Sequence, residues 1–209
     1  MRRGALIVLE GCDRSGKSTQ CRKLAEGLKN AGKSVELMQF PNRTTEIGSV
    51  ISRYLEKKIE LHDAAIHLLF SANRWEMANR MKSMLESGTT LVVDRYAYSG
   101  IAFTGAKQKF SLDWCRQSDR GLPKPDLVIY LDLPPHVAKT RADYGDERYE
   151  KEEFQRKVAE CYEKLREDDW KIINADQSVD SLHESIKALS LETIKSCGCE
   201  PIHKLWVNE

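Results

Sequence analysis

Short apolar runs alternate along this chain with longer segments in which apolar residues recur every three to four positions. Runs rich in branched residues indicate strands buried on both faces of a sheet, and they lie at residues 5–9, 34–40, 91–94, 127–131 and, more weakly, 171–174. Helical spacing predicts helices that start near residue 16 and lie at 45–56, 63–86, 154–165 and 179–194. This alternation predicts a doubly wound α/β fold with about five parallel strands, in a single domain over residues 1–209.

The first strand runs directly into the loop GCDRSGKS at residues 11–18, which matches the pattern G-x-x-x-x-G-K-[ST] at every fixed position. Glycines let the backbone turn its N–H groups toward a polyphosphate, and the helix that follows adds its positive end. Lys17 is placed to reach the β- and γ-phosphates, and Ser18 to bind Mg²⁺. A plain glycine-containing turn is the alternative. The strand–loop–helix context favours an ATP site formed by Gly11, Arg14, Ser15, Gly16, Lys17, Ser18 and Thr19.

Composition and charge narrow the class of protein. Lys and Arg total 33 against 32 for Asp and Glu, so no global field attracts nucleic acid or an anionic membrane. There is no apolar run long enough to span a bilayer, and the 6 cysteines form no C-x-x-C pair. These features favour a soluble protein of a reducing, cytoplasmic compartment. We therefore expect no nucleic-acid or membrane partner, and only local anion recognition.

A carboxylate ends the third apolar run. Asp94 lies where, in open parallel sheets, ligands bind beyond the carboxyl ends of the strands. There it is placed to hold the Mg²⁺ shell, directly or through water, while the Arg95 guanidinium can reach a phosphate. An N-cap aspartate followed by a solvated arginine is the competing interpretation. The phosphate-binding loop favours the functional one, with Ser18 and Asp94 as the metal residues.

Arginine placement distinguishes a kinase from a simple ATPase. Most arginines on a protein surface are merely solvated, but several here fall at the expected ligand edge of the sheet. The candidates are Arg14, Arg43, Arg74, Arg95, Arg141 and Arg148. Two phosphate groups brought together repel each other, and guanidinium groups offset that repulsion. Because an ATPase needs no second anion site, the pattern predicts an acceptor that carries a phosphate.

Phe70 and Arg74 lie one helical turn apart, so their side chains share a face of the long helix. That face offers a ring to stack on a base and a guanidinium to donate to its carbonyl. Apolar neighbours such as Ile66, Leu69 and Met77 make a plain core role for Phe70 equally compatible with the spacing. The spacing alone leaves both interpretations open.

Several longer motifs are far more specific than the loop. The chain closely resembles the thymidylate kinases of the eukaryotic cytosolic type, almost from end to end, in LEGCDRSGKSTQ, FPNRTTEIG, LLFSANRWE, LVVDRYAYSGIAFTGAK, GLPKPDLVIYLDL and ERYE. The resemblance implies reversible γ-phosphoryl transfer from MgATP to dTMP, giving ADP and dTDP for dTTP synthesis. It also implies a five-stranded parallel sheet, a homodimer, and a lid at about residues 135–149.

The resemblance assigns acceptor roles residue by residue. Phe70 corresponds to the thymine-stacking ring and Arg74 to the donor to a thymine carbonyl. Arg43 and Arg95 are expected to hold the dTMP phosphate. Asp13 is expected to bind the sugar 3′-hydroxyl while it pairs with a cation. The remaining dTMP contacts expected are Phe40, Ser99, Gly100, Phe103 and Tyr149, of which Phe103 and Tyr149 close around the deoxyribose.

On the donor side, Arg14 takes the catalytic role that some bacterial members of the family place in the lid. It forms the expected catalytic set together with Asp13, Lys17 and Arg95, and Arg141 of the lid is assigned to ATP. The segment where the family binds adenine departs from the pattern, since Gln177 stands where a basic residue is expected. Adenine recognition is therefore expected to rest on backbone and packing.

Two other functions compete with this interpretation. A deoxynucleoside kinase shares the loop and the carboxylate–arginine pair, but it attacks with a neutral hydroxyl, needs a base and does not need Arg43. A GTP-binding module requires N-K-x-D, whereas the only K-x-D here, at residues 124–126, follows a proline. A phosphate monoester with a second pKa of about 6 is largely dianionic at neutral pH, so a dTMP acceptor needs no base.

Overall fold

Strands and helices alternate through the computed structural model, which describes residues 2–138 and 147–207. In chain order the elements are β1 (Leu6–Glu10), α1 (Lys17–Asn30), β2 (Val35–Gln39), α2 (Glu46–Leu55), α3 (Asp63–Glu86), β3 (Thr90–Asp94), α4 (Ala97–Gly105), α5 (Leu112–Gln117), β4 (Leu127–Asp132), α6 (Pro135–Ala138), α7 (Glu152–Leu165), β5 (Lys171–Asn174) and α8 (Val179–Ser196), followed by a 3₁₀ turn at Cys197–Cys199.

The strands form one parallel sheet in the order β2-β3-β1-β4-β5, which confirms the predicted five-stranded α/β fold. β1 lies in the centre, with Leu9 beside Asp94 of β3 and Glu10 beside Tyr130 of β4. The chain builds β2 and β3 on one side of β1 and then crosses to build β4 and β5 on the other, so the carboxyl end of β1 lies at the crevice where sheets of this kind bind ligands. The phosphate-binding loop begins there.

Successive side chains of β1 point to opposite faces of the sheet and contribute in turn to the hydrophobic clusters on those two faces. Leu6 and Val8 belong to one cluster, which includes residues of α3, α4 and α7, whereas Ile7 and Leu9 belong to a second, which includes residues of α1 and α8. Because both faces of the sheet are covered, its central strands consist mainly of apolar residues. No helix within the described ranges is long and apolar enough to cross a membrane.

The apolar pattern failed between the third and fourth strands. It predicted no helix there, yet the chain forms α4 and α5. Eight of the nine residues of α4 are buried, so the helix has no polar face and no amphipathic period. The strand boundaries were predicted more closely, because each strand is a short run rich in apolar residues, and the three central strands are buried almost throughout.

Candidate active site

A cavity of about 200 Å³ opens at the carboxyl ends of the central strands. Seven segments contribute to it: the phosphate-binding loop, the ends of β2 and β3, the helices α2, α3 and α4, and the chain at residues 147–149. Its walls include Asp13, Ser18, Phe40, Arg43, Phe70, Arg74, Asp94, Arg95, Ser99, Gly100, Phe103 and Tyr149. The fold therefore brings together all the side chains that the sequence assigned to the acceptor and the metal.

The phosphate-binding loop takes a backbone path that only certain residues follow easily. Gly11 has φ 143°, Gly16 has φ 97°, and Arg14 between them also lies in the left-handed region at φ 62°. A β-carbon at Gly11 would lie 2.7 Å from the carbonyl oxygen of Leu131, so glycine is required there for space as well as conformation. The loop then passes into α1, whose first residue is Lys17.

Lys17 folds back along the loop. Its Nζ donates to the carbonyl oxygen of Cys12 at 2.6 Å and to the hydroxyl of Ser15 at 3.2 Å. Burial, reinforced by the neighbouring charge of Arg95, lowers the pKa of Lys17 to about 8. A polyphosphate in the loop would offer this ammonium stronger acceptors than a carbonyl and a hydroxyl.

Ser18 and Asp94 meet at the mouth of the loop, as expected for a metal site. The Ser18 hydroxyl donates to Asp94 Oδ2 at 2.5 Å, whereas Oδ1 is buried and has no hydrogen-bond donor among the described residues. An orphaned carboxylate oxygen beside a hydroxyl fits Mg²⁺ or its water shell. The competing N-cap interpretation of Asp94 is wrong, because the N-cap residue of α4 is Tyr96.

Within residues 2–138 and 147–207, no three His, Cys, Asp or Glu side chains cluster as a metal site. This fits Mg²⁺, which is usually held by one or two protein groups together with substrate phosphates and water.

Arg95 lines the cavity beside the phosphate-binding loop, at what we call its phosphate end. Its Nη2 pairs with Asp13, and its Nη1 donates to the carbonyl oxygen of Gly11 and to the Ser99 hydroxyl, both at 3.1 Å. Its guanidinium carbon lies 5.1 Å from the centroid of the Phe103 ring. Asp13 therefore pairs with a cation, and the cation points into the cavity.

Two further arginines pair with carboxylates at the C-terminal end of the predicted lid and immediately after it. Arg43 Nη2 lies 2.6 Å from Glu147, and Arg14 lies 3.0 Å from Glu150. Arg148 instead lies against α2, where it donates to the carbonyl oxygen of Tyr54 at 2.9 Å and to Glu60 at 2.6 Å. Arg141 and most of the predicted lid fall outside the described residues.

Gln155 is a contact that sequence reasoning missed. Its side-chain amide accepts from the Asp13 backbone N–H at 2.8 Å and donates to the Asp13 carboxylate at 2.6 Å and to the carbonyl oxygen of Tyr149 at 3.0 Å. No motif surrounds it in α7, so nothing in the sequence distinguishes it from a solvated polar residue. The amide ties the phosphate-binding loop to the chain that leaves the lid.

Arg74 is almost completely buried and lines the part of the cavity where a nucleobase is expected, which we call the base end. Its Nε and Nη2 donate to the two oxygens of Asp119 at 2.9 and 2.7 Å. A β-carbon at Gly100 would lie 2.7 Å from Arg74 Nη2, so α4 packs this closely against Arg74 because residue 100 is glycine. Phe70, one turn earlier, is half-buried; it packs against the cluster around Ile66 and also lines the cavity. The core contact is therefore present, and stacking on a base stays a prediction.

Aromatic rings close the side of the cavity between these two ends. Phe103 and Tyr149 meet edge-on with centroids 5.6 Å apart, and Phe154 stacks behind Tyr149 at 5.1 Å. Burial raises the pKa of Tyr149, whose hydroxyl donates to that of Tyr54 at 3.3 Å. The rings form a filled apolar wall.

Gln177 makes local contacts in the segment expected to face adenine. It donates to the carbonyl oxygen of Asn174 at 2.6 Å and accepts from the Ser181 hydroxyl at 2.8 Å.

Known proteins match this chain over nearly its full length. The family model described as thymidylate kinase matches residues 9–186. A thymidylate kinase of Danio rerio is 55% identical and one of Homo sapiens 53%, each alignment covering 98% of both chains. The solved structure of a Candida albicans thymidylate kinase superposes with a TM-score of 0.86 at 39% identity, covering 93% of this chain and 94% of that one.

Proposed function

This chain belongs to the thymidylate kinase family, and on that premise we propose that it transfers the γ-phosphoryl group of MgATP to dTMP, giving ADP and dTDP for dTTP synthesis. The observation that carries the proposal is the second anion site. Arg43 and Arg95 line the same cavity as Ser18 of the phosphate-binding loop, whereas an ATPase needs arginines for one polyphosphate only.

On the donor side, the loop backbone, Lys17 and Ser18 hold the ATP phosphates. Lys17 exchanges the Cys12 carbonyl oxygen for phosphate oxygens. Ser18 and Asp94 would hold Mg²⁺, which would supply positive charge to the ATP phosphates. Arg14 leaves Glu150 for the transferring phosphoryl group and stabilises the charge that develops on it.

On the acceptor side, Phe70 stacks on thymine and Arg74 donates to a thymine carbonyl. Arg43 and Arg95 exchange carboxylates for the dTMP phosphate. Asp13, held by Gln155, accepts from the 3′-hydroxyl. The reaction needs no general base, since the phosphate of dTMP is largely ionised at neutral pH and attacks directly. Catalysis is then alignment and charge stabilisation.

An ADP-release assay tests the function. The wild type and Lys17→Met are assayed with ATP and each of dTMP, dUMP, UMP, dCMP, AMP and thymidine. The proposal predicts the highest kcat/KM with dTMP and no turnover of thymidine, and it predicts loss of activity in Lys17→Met. Preference for thymidine would identify a deoxynucleoside kinase. ADP release that does not depend on the acceptor would identify an ATPase.

The same proposal includes a cytoplasmic homodimer. All 6 cysteines are free, which suits a reducing compartment.

On α3, Leu68 and Trp75 are 50% and 43% exposed and lie two turns apart on one face, which suits a second copy of the chain. Sedimentation of Leu68→Glu with Trp75→Glu should give monomers. Val179→Glu, at a position 50% exposed on α8, should leave the dimer intact. Wild-type protein that sediments as a monomer would contradict the dimer.

A further inference from the structure

Glu10 is a fully buried carboxylate at the end of β1, immediately before the phosphate-binding loop. Its exposed fraction is 0%, and the four residues before it in β1, LIVL, are all apolar. A buried carboxylate is costly unless several donors satisfy its oxygens. The loop motif and the roles proposed above do not explain why a charge is present at this position.

Four donor groups converge on this carboxylate. Oε1 accepts from the backbone N–H of Tyr96 at 2.9 Å and of Ser99 at 3.1 Å. Oε2 accepts from the Ser99 hydroxyl at 2.5 Å and the Tyr162 hydroxyl at 2.8 Å. Tyr96 is the N-cap residue of α4, and its own side chain supplies no cap among the described residues. Glu10 therefore caps α4 from the neighbouring strand and places a negative charge at its positive end.

The Ser99 hydroxyl connects Glu10 to Arg95. A hydroxyl has one proton, and here it is donated to the carboxylate, so the lone pairs of Ser99 Oγ remain for the Arg95 Nη1 donor at 3.1 Å. Arg95 itself has φ 66°, a left-handed conformation that persists only where the surroundings fix it. Arg95 and Ser99 line the cavity, whereas Glu10 is not among the described residues that line it.

We propose that Glu10 is a positioning residue for acceptor binding: through the Ser99 hydroxyl and the first turn of α4, it fixes the orientation in which Arg95 presents its guanidinium to the acceptor phosphate. The inference rests on the role of Arg95 proposed above.

Glu10→Gln removes the charge and keeps the volume. The two backbone N–H groups can only donate, so the amide oxygen must face them and the amide NH₂ must face the hydroxyls of Ser99 and Tyr162. Ser99 Oγ then accepts from the new amide and turns its proton elsewhere, which weakens its bond with Arg95. Ser99→Ala breaks the same connection but keeps the buried carboxylate and its backbone bonds.

The test compares the dissociation constants of dTMP and thymidine by calorimetry, because the two ligands differ only in the phosphate. Glu10→Gln and Ser99→Ala should each weaken dTMP binding about tenfold, the loss of roughly one hydrogen bond to a charged group. Thymidine binding should change less than about twofold. In an Arg95→Ala background, Glu10→Gln and Ser99→Ala should each have no further effect on dTMP, since the group that they position is gone, whereas a direct bond from Ser99 to dTMP would still be lost.

Tyr162→Phe is the matched control. It removes the other hydroxyl from Glu10 Oε2, and with it that hydroxyl's contact with Ser99 Oγ at 2.8 Å, but it leaves the bonds of Ser99 to Glu10 and to Arg95 in place. It should lower the Tm and leave the ratio of the two dissociation constants unchanged.

Two results would overturn the inference. One is an equal loss of dTMP and thymidine binding, which would indicate a structural effect. The other is an unchanged ratio of the two dissociation constants in Ser99→Ala, a variant that tests the inference even if Glu10→Gln does not fold. If Arg95→Ala itself keeps the preference for dTMP over thymidine, the assignment of Arg95 is wrong and the inference fails with it. If only the Arg95 variant loses that preference, the assignment stands and the inference alone fails.

Discussion

The two ends of the cavity hold their arginines in different ways. At the base end, the side chains of Arg74 and Asp119 are 2% and 0% exposed and form a bidentate pair. At the phosphate end, Arg43 and Glu147 are each 38% exposed. Arg95 and its partner Asp13 are 19% and 18% exposed.

Burial decides what each arginine can do. Neither water nor a ligand can replace Asp119, so the pair at the base end is part of the scaffold that shapes the pocket. The carboxylates at the phosphate end come from the phosphate-binding loop and from the C-terminal end of the predicted lid, where an incoming phosphate can compete for the guanidinium. We therefore expect one residue type to serve as scaffold at one end and as anion receptor at the other.

Removing the base-end arginine should cause the largest loss of stability. Arg74→Met leaves the Asp119 charge buried and unpaired, which should lower the free energy of unfolding by about 3–5 kcal/mol. Arg80→Met on the same helix breaks an exposed pair with Glu36 and should cost less than about 1 kcal/mol. Urea unfolding of both variants measures the difference. A loss below about 1 kcal/mol in Arg74→Met would show that the buried pair is not scaffold.

At the phosphate end, substitution should affect turnover rather than stability. Arg14→Ala should leave dTMP and ATP affinity nearly intact and lower kcat by up to ~10³-fold, because its pair with Glu150 is exchangeable and its charge is needed in the transition state. Steady-state kinetics and Tm together measure this. A fall in kcat below about tenfold, or ~1.4 kcal/mol of barrier, would assign the role to Arg141, since Arg148 is held against α2.

The aromatic wall between the ends should set sugar selectivity. Phe103 and Tyr149 leave no partner for a 2′-hydroxyl, and an unpaired buried hydroxyl costs about 1–3 kcal/mol. The double change Phe103→Ala with Tyr149→Ala should narrow the kcat/KM ratio of dTMP over ribothymidine monophosphate by at least about tenfold. Both nucleotides are measured on both proteins. An unchanged ratio, even at lower activity, would mean that another group excludes the hydroxyl.

Lowering the pH should reduce the free energy of unfolding through His67, which lies on α3 as Arg74 does. This ring bonds to Thr104 and to the carbonyl oxygen of Cys115, each at 2.9 Å, and burial lowers its pKa. Below the ordinary value of about 6.5 the unfolded chain takes up a proton that the folded ring does not, so stability falls as the pH falls.

The expected loss between pH 7.5 and 5.5 is up to about 1.4 kcal/mol for this group. His67→Gln should start less stable and show a flatter pH dependence in urea unfolding. Equal pH dependence in the two proteins would show that His67 is not the group responsible.

The sequence predicted the parts of the site that local spacing encodes. The loop at residues 11–18 and Asp94 each follow an apolar run, so topology alone brings them to one edge of the sheet. The pairings were not predictable in this way. Asp119 lies 45 residues from Arg74, and Ser99 lies 89 residues from Glu10.

Which carboxylate meets which donor depends on how α4 packs, and that buried helix has no amphipathic pattern to reveal it. Glu10 nevertheless shares with Asp94 the placement of a carboxylate at the end of an apolar strand, and that placement was a usable indication.

The most direct test of the exchange of partners is a crystal structure with dTMP and an ATP analogue that cannot transfer its γ-phosphoryl group. We predict that Arg43 leaves Glu147, 2.6 Å away in the free protein, and that Arg43 and Arg95 both contact the dTMP phosphate. Arg74 should stay on Asp119 at about its present 2.7 Å while it donates to thymine. A phosphate bound away from Arg43 and Arg95, or an Arg74 that has left Asp119, would contradict the account.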